Sequence, residues 1–146
     1  MSFSFASIFG SRIPLPPKKL VTEVGGGDFH GVGDEFFRYF TKLSKLMPHE
    51  QVLDIGCGCG RIAVPLTRHL DSAGCYEGFD IQPSAIKWCQ KNITKRHPNF
   101  AFTLADIFNT TYNPQGRIAP IDYRFPYEGD RFDYVILVIP PEISGV

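Results

Sequence analysis

Residues 51–61, Gln51-Val52-Leu53-Asp54-Ile55-Gly56-Cys57-Gly58-Cys59-Gly60-Arg61, constrain the fold more than any other stretch of this chain. A short apolar run holding one carboxylate leads into glycines at three alternate positions. Such a run reads as a buried strand, Gln51 to Ile55. The glycines let the backbone turn sharply at its carboxyl end and admit a ligand where Cβ atoms would obstruct it. A helix is predicted from Arg61 or Ile62, carrying Ile62, Leu66 and Leu70, with Pro65 in its first turn where a missing N–H matters least. Strand, glycine turn and helix open a parallel α/β unit, whose ligands bind at the carboxyl ends of the strands.

The rest of the chain repeats that alternation. From Asp34, the residues Phe36, Phe40, Leu43 and Met47 recur at helical spacing until Pro48 ends the run. Tyr76 to Ile81 reads as a second strand. Pro83 opens a helix whose inner face holds Ile86, Cys89 and Ile93, and Pro98 closes it. Phe100 to Leu104 is a third strand, and the apolar run Phe132 to Ile139 a fourth. Strands alternating with helices in this rhythm argue for a parallel sheet. Two stretches break it. Residues 1–24 read as an irregular arm, because Pro14, Pro16 and Pro17 impose extended geometry. Residues 109–131 carry Pro114, Pro120, Pro126, Gly116 and Gly129, and read as an irregular lid or substrate-side insertion. Residues 25–146 are then one domain. The glycine-rich stretch 25–33 is expected to be mobile or shaped by something it touches.

The ligand follows from spacing and charge. A dinucleotide fingerprint is G-x-G-x-x-G. Here it is G-x-G-x-G, and Arg61 stands where the third dinucleotide glycine is needed. Asp54 ahead of the loop opposes a pyrophosphate but suits a ligand with an ammonium group. S-adenosylmethionine has an α-amino group, a sulfonium and no phosphate, so it is favoured over NAD and a nicotinamide-dependent oxidoreductase becomes the lesser reading. Asp80, at the end of the second strand, stands where a carboxylate binds ribose hydroxyls. Ile81 can pack on adenine, Asp106 can accept from the adenine amino group, and Ile107 can line the pocket. Taken singly, each Asp could equally be a loop carboxylate or a helix cap.

Composition excludes several classes. The 146 residues include 15 basic and 15 acidic side chains, so no global field draws nucleic acid or anionic membrane. The clusters Lys18-Lys19 and Lys95-Arg96-His97 read as solvated surface. No apolar run approaches the roughly 20 residues that span a bilayer, and the Ser/Phe-rich start lacks the pattern of a signal peptide. Cys57, Cys59, Cys75 and Cys89 form no C-x-x-C pair, so neither a metal site nor a disulfide framework is expected. Reduced thiols in a cytoplasmic protein are the simpler reading.

With these motifs in place, the chain resembles the bacterial class I SAM-dependent methyltransferases of the small-molecule, type 11/12 kind. Val52 to Arg61 matches their motif I, Tyr76 to Ile81 motif II, Phe102 to Ile107 the adenine segment, and Phe132 to Leu137 the strand of motif IV. The resemblance implies an α/β, Rossmann-like sheet with flanking helices and methyl transfer from S-adenosylmethionine to a small-molecule acceptor. It places Asp54, Gly56, Cys57 and Gly58 around the methionine part, Asp80 at the ribose, and Asp106 with Ile107 at adenine; Gly60 and Ile81 are counted with them as cofactor-binding. Gly25 to Phe29 resembles a glycine-rich segment that closes over the cofactor. No catalytic residue is assigned, although His30 or a carboxylate could serve a hydroxyl acceptor as base.

The family's sheet has seven strands in the order 3-2-1-4-5-7-6, whereas this sequence reads as about four, in order 3-2-1-4. The expectation is therefore an incomplete, truncated methyltransferase sheet. The rival readings are a remnant that binds the cofactor without transferring a methyl group, and an interaction module that self-associates through its fourth strand, since an apolar edge invites pairing. Pro140-Pro141 resembles part of the N/D-P-P-Y signature of amino-group methylases, but Ile139 and Glu142 replace its polar and aromatic ends.

Overall fold

The structure, a computed structural model, describes residues 12–138. Four parallel strands form one sheet in the order β3-β2-β1-β4: β1 is Gln51–Ile55, β2 Cys75–Asp80, β3 Phe100–Leu104 and β4 Tyr134–Leu137. This is the order expected from the sequence. The helices are α1 (Lys18–Glu23), α2 (Phe29–Arg38), α3 (Ala63–Leu66) and α4 (Pro83–Cys89). Both α2 and α4 run on into wider π turns, Tyr39–Leu43 and Gln90–Thr94. Ile139, Pro140, Pro141 and Glu142 lie outside the described residues.

Register and alternation divide the strand side chains between two faces. Val52 pairs with Tyr76 and Tyr134, and Tyr76 with Phe100; two residues on, Asp54 pairs with Gly78 and Ile136, and Gly78 with Phe102. Those side chains meet Ile62, Ala63, Leu66, Ile86, Cys89 and Ile93 in the main core. Burying a Leu or Ile side chain completely stabilises by roughly 1.5–3 kcal/mol, which is why this helical face holds the sheet. On the opposite face Leu53 and Phe79 pack with Ala105, Ile55, Ile107, Tyr123, Tyr127 and Phe132.

That second layer involves residues 109–131, which hold no α-helix, as expected. The segment bridges Ile107 to Ile118 and turns through a short 3-10 helix at Pro120–Asp122. Its rings then reach the sheet: Tyr123, Phe125 and Tyr127 lie 6.4, 5.5 and 6.2 Å from the Phe79 ring. It is a wall of aromatic side chains on the sheet, and apolar burial rather than a helix does the covering.

Three further local differences have physical reasons. The arm is not irregular throughout, because α1 begins at once after Pro17, whose ψ of 139° keeps it extended as the N-cap residue. Helix α2 starts at Phe29, earlier than the Asp34 expected, despite Gly31 and Gly33. A Cβ on Gly33 would lie 2.5 Å from the Arg61 carbonyl oxygen, so tight packing here outweighs helix propensity. Helix α3 ends after one turn. Beyond it Arg68 and His69 donate to the carbonyls three residues back, Pro65 and Leu66, which tightens the chain out of α geometry before Leu70.

Candidate functional site

The glycine turn leaves the carboxyl end of β1 and is tied to the end of β2. The Phe79 carbonyl accepts the N–H groups of Gly56 at 2.9 Å and Cys57 at 3.1 Å, continuing the ladder into the loop. Gly56, Gly58 and Gly60 have φ of +79°, +53° and +80°, a region where an L side chain costs roughly 1–2 kcal/mol. The surroundings of these glycines differ. A Cβ on Gly60 would press within 2.6 Å of Ile93 Cδ1, so this glycine serves the packing of the loop onto the α4 extension. Gly56 is exposed, and a Cβ there would meet nothing within 4 Å. Open space over bare backbone lies at Gly56.

Asp80 completes the turn. Its Oδ2 accepts the Gly58 N–H at 2.8 Å and its Oδ1 the Gln82 N–H at 2.9 Å. Burial pushes its carboxyl group above the usual range, while the N–H bonds from Gln82, Gly58 and Ile81 pull it down. Each carboxylate oxygen keeps a further lone pair, and the residue is partly exposed, so it can still accept from a ligand hydroxyl. Beside it a cleft of about 530 Å³ is lined by Glu23, Gln82, Pro83, Ser84, Thr111 and Tyr112. Ile81, Asp106 and Ile107 are also partly exposed. Ala105 N–H donates to the Asp80 carbonyl at 2.9 Å, which brings the segment after β3 alongside the end of β2.

Asp54 lies elsewhere. It is 1% exposed, and the Tyr76 hydroxyl donates to its Oδ2 at 2.5 Å within the main core. Desolvation raises its pKa to about 7; the Tyr76 hydrogen bond opposes the rise and the charge of Asp80 adds to it. The charge that sequence reading placed against an ammonium group is thus inside the protein, one layer behind the loop. The strand period explains it: Asp54 shares a face with Val52, and that face is the one the helices cover. Asp106, in contrast, is engaged at the surface. Arg117 Nε lies 2.5 Å from its Oδ2, and that hydrogen bond holds the Asp106 carboxyl below the usual range.

Several participants were not anticipated. Val24 covers the loop, since a Cβ on Gly58 would lie 3.2 Å from Val24 Cβ. The Arg61 guanidinium donates to the Gly26 carbonyl and stands 5.9 Å from the Phe29 ring centroid. Gln82 Nε2 donates to Glu23 Oε2 at 2.9 Å. Segment 23–29 therefore closes on the glycine turn as a clasp. The glycines of residues 25–27 signalled a special backbone there, but nothing local named Arg61 as the group that holds it. Cys57 is buried, and burial pushes its thiol well up; burial also raises Cys59 to about 11 and raises Cys89. All three are neutral thiols at neutral pH, unsuited to act as thiolate nucleophiles. His30 is exposed at the start of α2, on a different cleft, with Arg68 and His97. Among the described residues no group of three or more His, Cys, Asp or Glu could hold a metal ion, and no helix is long and apolar enough to cross a membrane.

Comparison with known proteins bears on the same region. Residues 46–138 match a family model described as a methyltransferase domain. Aklanonic acid methyltransferase of a Streptomyces species is 36% identical over 86 residues, covering 54% of this chain and 39% of that protein. The phthiotriol/phenolphthiotriol dimycocerosates methyltransferase of Mycobacterium leprae is 34% identical over 89 residues, covering 60% of this chain and 26% of that protein. The chain thus spans about two fifths of the first relative and about a quarter of the second. Among solved structures, a SAM-dependent methyltransferase of Geobacter sulfurreducens in complex with S-adenosyl-L-homocysteine superposes with a TM-score of 0.45 at 19% identity, covering 64% of this chain and 38% of that one.

Proposed function

Since this chain belongs to the methyltransferase-domain family whose model covers residues 46–138, we propose that it binds S-adenosylmethionine at the glycine turn and serves methyl transfer to a small-molecule acceptor. The observation that carries this reading is the exposed, unobstructed backbone at Gly56 beside a carboxylate, Asp80, that is fastened to the same turn through the Gly58 N–H. S-adenosylmethionine supplies an electrophilic methyl group on a sulfonium. This chain supplies position. Asp80 would accept from the ribose hydroxyls with its free lone pairs, the bare backbone at Gly56 would admit the methionine portion, and Gly58, under Val24, ties the turn to Asp80 through its N–H. Cys57 and Gly60 shape the turn from behind, the first through its backbone and the second by packing. Ile81 and Ile107 offer apolar surface to the adenine, and Asp106 can accept from its amino group while still paired to Arg117. Asp54 acts at one remove, as a buried carboxyl whose protonation state responds to charge at the turn. Alignment of this kind is the main resource of an in-line displacement, with effective molarities of about 10⁵–10⁸ M attainable. The first relative is named for aklanonic acid, and a small organic acceptor is proposed here on that likeness.

Calorimetric titration with S-adenosylhomocysteine tests the site without needing an acceptor. Saturable binding is expected. Gly56→Ala should weaken it at least tenfold, about 1.4 kcal/mol, because its new methyl group fills the open space over the turn. Asp80→Asn should weaken it comparably while keeping an oxygen for one of the two N–H groups. Undiminished affinity in Asp80→Asn would remove the ribose assignment, and no binding by the parent chain would remove the proposal.

A further inference from the structure

A second concavity, sharing no residue with the glycine turn, Asp80 or Asp106, is built from four separate parts of the chain. Its volume is about 790 Å³. Arg12 and Ile13 form one rim, His30 and Asp34 of α2 another. Val64 of α3 with Thr67 and Arg68 just beyond it make a third, and Lys95, Arg96 and His97, after the α4 extension, make the fourth.

The chain as a whole is neutral, with 15 basic and 15 acidic side chains. Among the described residues that line this cleft, four cations, Arg12, Arg68, Lys95 and Arg96, accompany a single carboxylate. That carboxylate, Asp34, is already paired with Arg68 at 2.8 Å, which holds the guanidinium in place without cancelling the excess. Arg96 Nη1 donates to the Asn92 carbonyl at 2.9 Å and is held in the same way. The His97 ring packs edge-on to Phe100, with centroids 5.9 Å apart, and burial together with Arg96 lowers its pKa. At neutral pH it is therefore a neutral hydrogen-bond donor. Ile13 and Val64 add apolar surface to the lining.

We propose that this cleft is an anion site, and that its ligand is a small organic molecule carrying a phosphate or diphosphate group. A concave wall of one sign concentrates field and counter-charge far more than the same residues spread over a convex surface. Guanidinium groups bind phosphate oxygens in fork geometry, and an ammonium such as that of Lys95 adds a point charge. The volume falls in the range of about 300–1,000 Å³ usual for small ligands, well above what free phosphate needs. The apolar surface at Ile13 and Val64 gives the organic part somewhere to lie.

The test uses the whole 146-residue chain with three probes: inorganic diphosphate, phenyl phosphate and a ten-nucleotide single-stranded DNA. Calorimetry should show saturable binding of diphosphate and of phenyl phosphate. Lys95→Gln and Arg68→Gln, both at exposed positions, should each weaken binding several-fold and together more than tenfold, with S-adenosylhomocysteine binding unchanged. The His97 ring, followed by NMR, should titrate at higher pH when diphosphate is present, because a nearby anion favours the imidazolium. The proposal fails if neither phosphate probe binds, if the double variant binds as the parent does, or if the His97 midpoint stays where it was. Binding of the DNA without the small phosphates would also overturn it, in favour of an extended polyanion surface.

Discussion

Asp54 reaches the Tyr76 hydroxyl at 2.5 Å in a part of the core where both residues are almost completely buried. A hydrogen bond to a carboxylate favours the ionised form, yet desolvation wins, and its pKa rises to about 7. In the unfolded chain an aspartate titrates near 3.9. The folded protein thus holds this proton more tightly than the unfolded chain does. The associated stability is fully present below about pH 4 and is lost as pH rises through about 7, a change on the order of 4 kcal/mol. Asp80, also raised by burial, acts in the same direction. Asp54→Asn keeps an oxygen for the Tyr76 hydroxyl and removes the titration. Urea unfolding at pH 5 and pH 7.5 should show a marked fall in stability for the parent chain and a much smaller one for the variant. Equal falls would place the cost of ionisation on some other group.

At the scale of elements, the glycine turn is held from both sides. The carboxyl ends of β1 and β2 hold it from below through the Phe79 carbonyl and Asp80. The clasp between α1 and α2 covers it from above, with Val24 on Gly58 and the Gly26 carbonyl on Arg61. Arg61, with Glu23, fastens that cover, and a hydrogen bond to a charged group contributes roughly 1.5–3 kcal/mol. Arg61→Ala should therefore raise the frequency of local opening about 10–100-fold, seen as faster amide hydrogen exchange across residues 24–29 with little change in the strands. Unaltered exchange would mean that Val24 and Phe29 hold the clasp by packing alone.

For the molecule as a whole, the sheet is unequally covered. Among the described residues its helical face is closed, whereas the opposite face is covered over Leu53 and Phe79 by the aromatic wall and is open toward β4. Among the described residues β4 pairs only with β1, and Val135 and Leu137 are 57% and 60% exposed. An apolar strand with one free edge is a template for pairing. We propose that β4 pairs with a second copy of the chain; Val135→Lys should then shift it toward monomer in sedimentation velocity, since a lysine on an edge strand opposes pairing. A parent chain that stays monomeric at high concentration would show that the free edge is blocked.

The sequence by itself determined the strands, the glycine turn between β1 and α3, and a parallel sheet, because these rest on alternation, helical period and backbone permissiveness among neighbouring residues; the order 3-2-1-4 was implied only by the family resemblance. It also singled out Asp80, whose place at the end of a strand is a local property. The tertiary structure alone decided that Asp54 is buried against the Tyr76 hydroxyl, that Arg117 holds Asp106, that Arg61 and Val24 close the turn, and that aromatic rings lie over part of the second face. Asp54 and Tyr76 are 22 residues apart, and Arg61 and Gly26 are 35 apart. Local preference says which way a side chain alternates. Only the packing of distant elements says whether that direction leads to water, to a ligand or into the core.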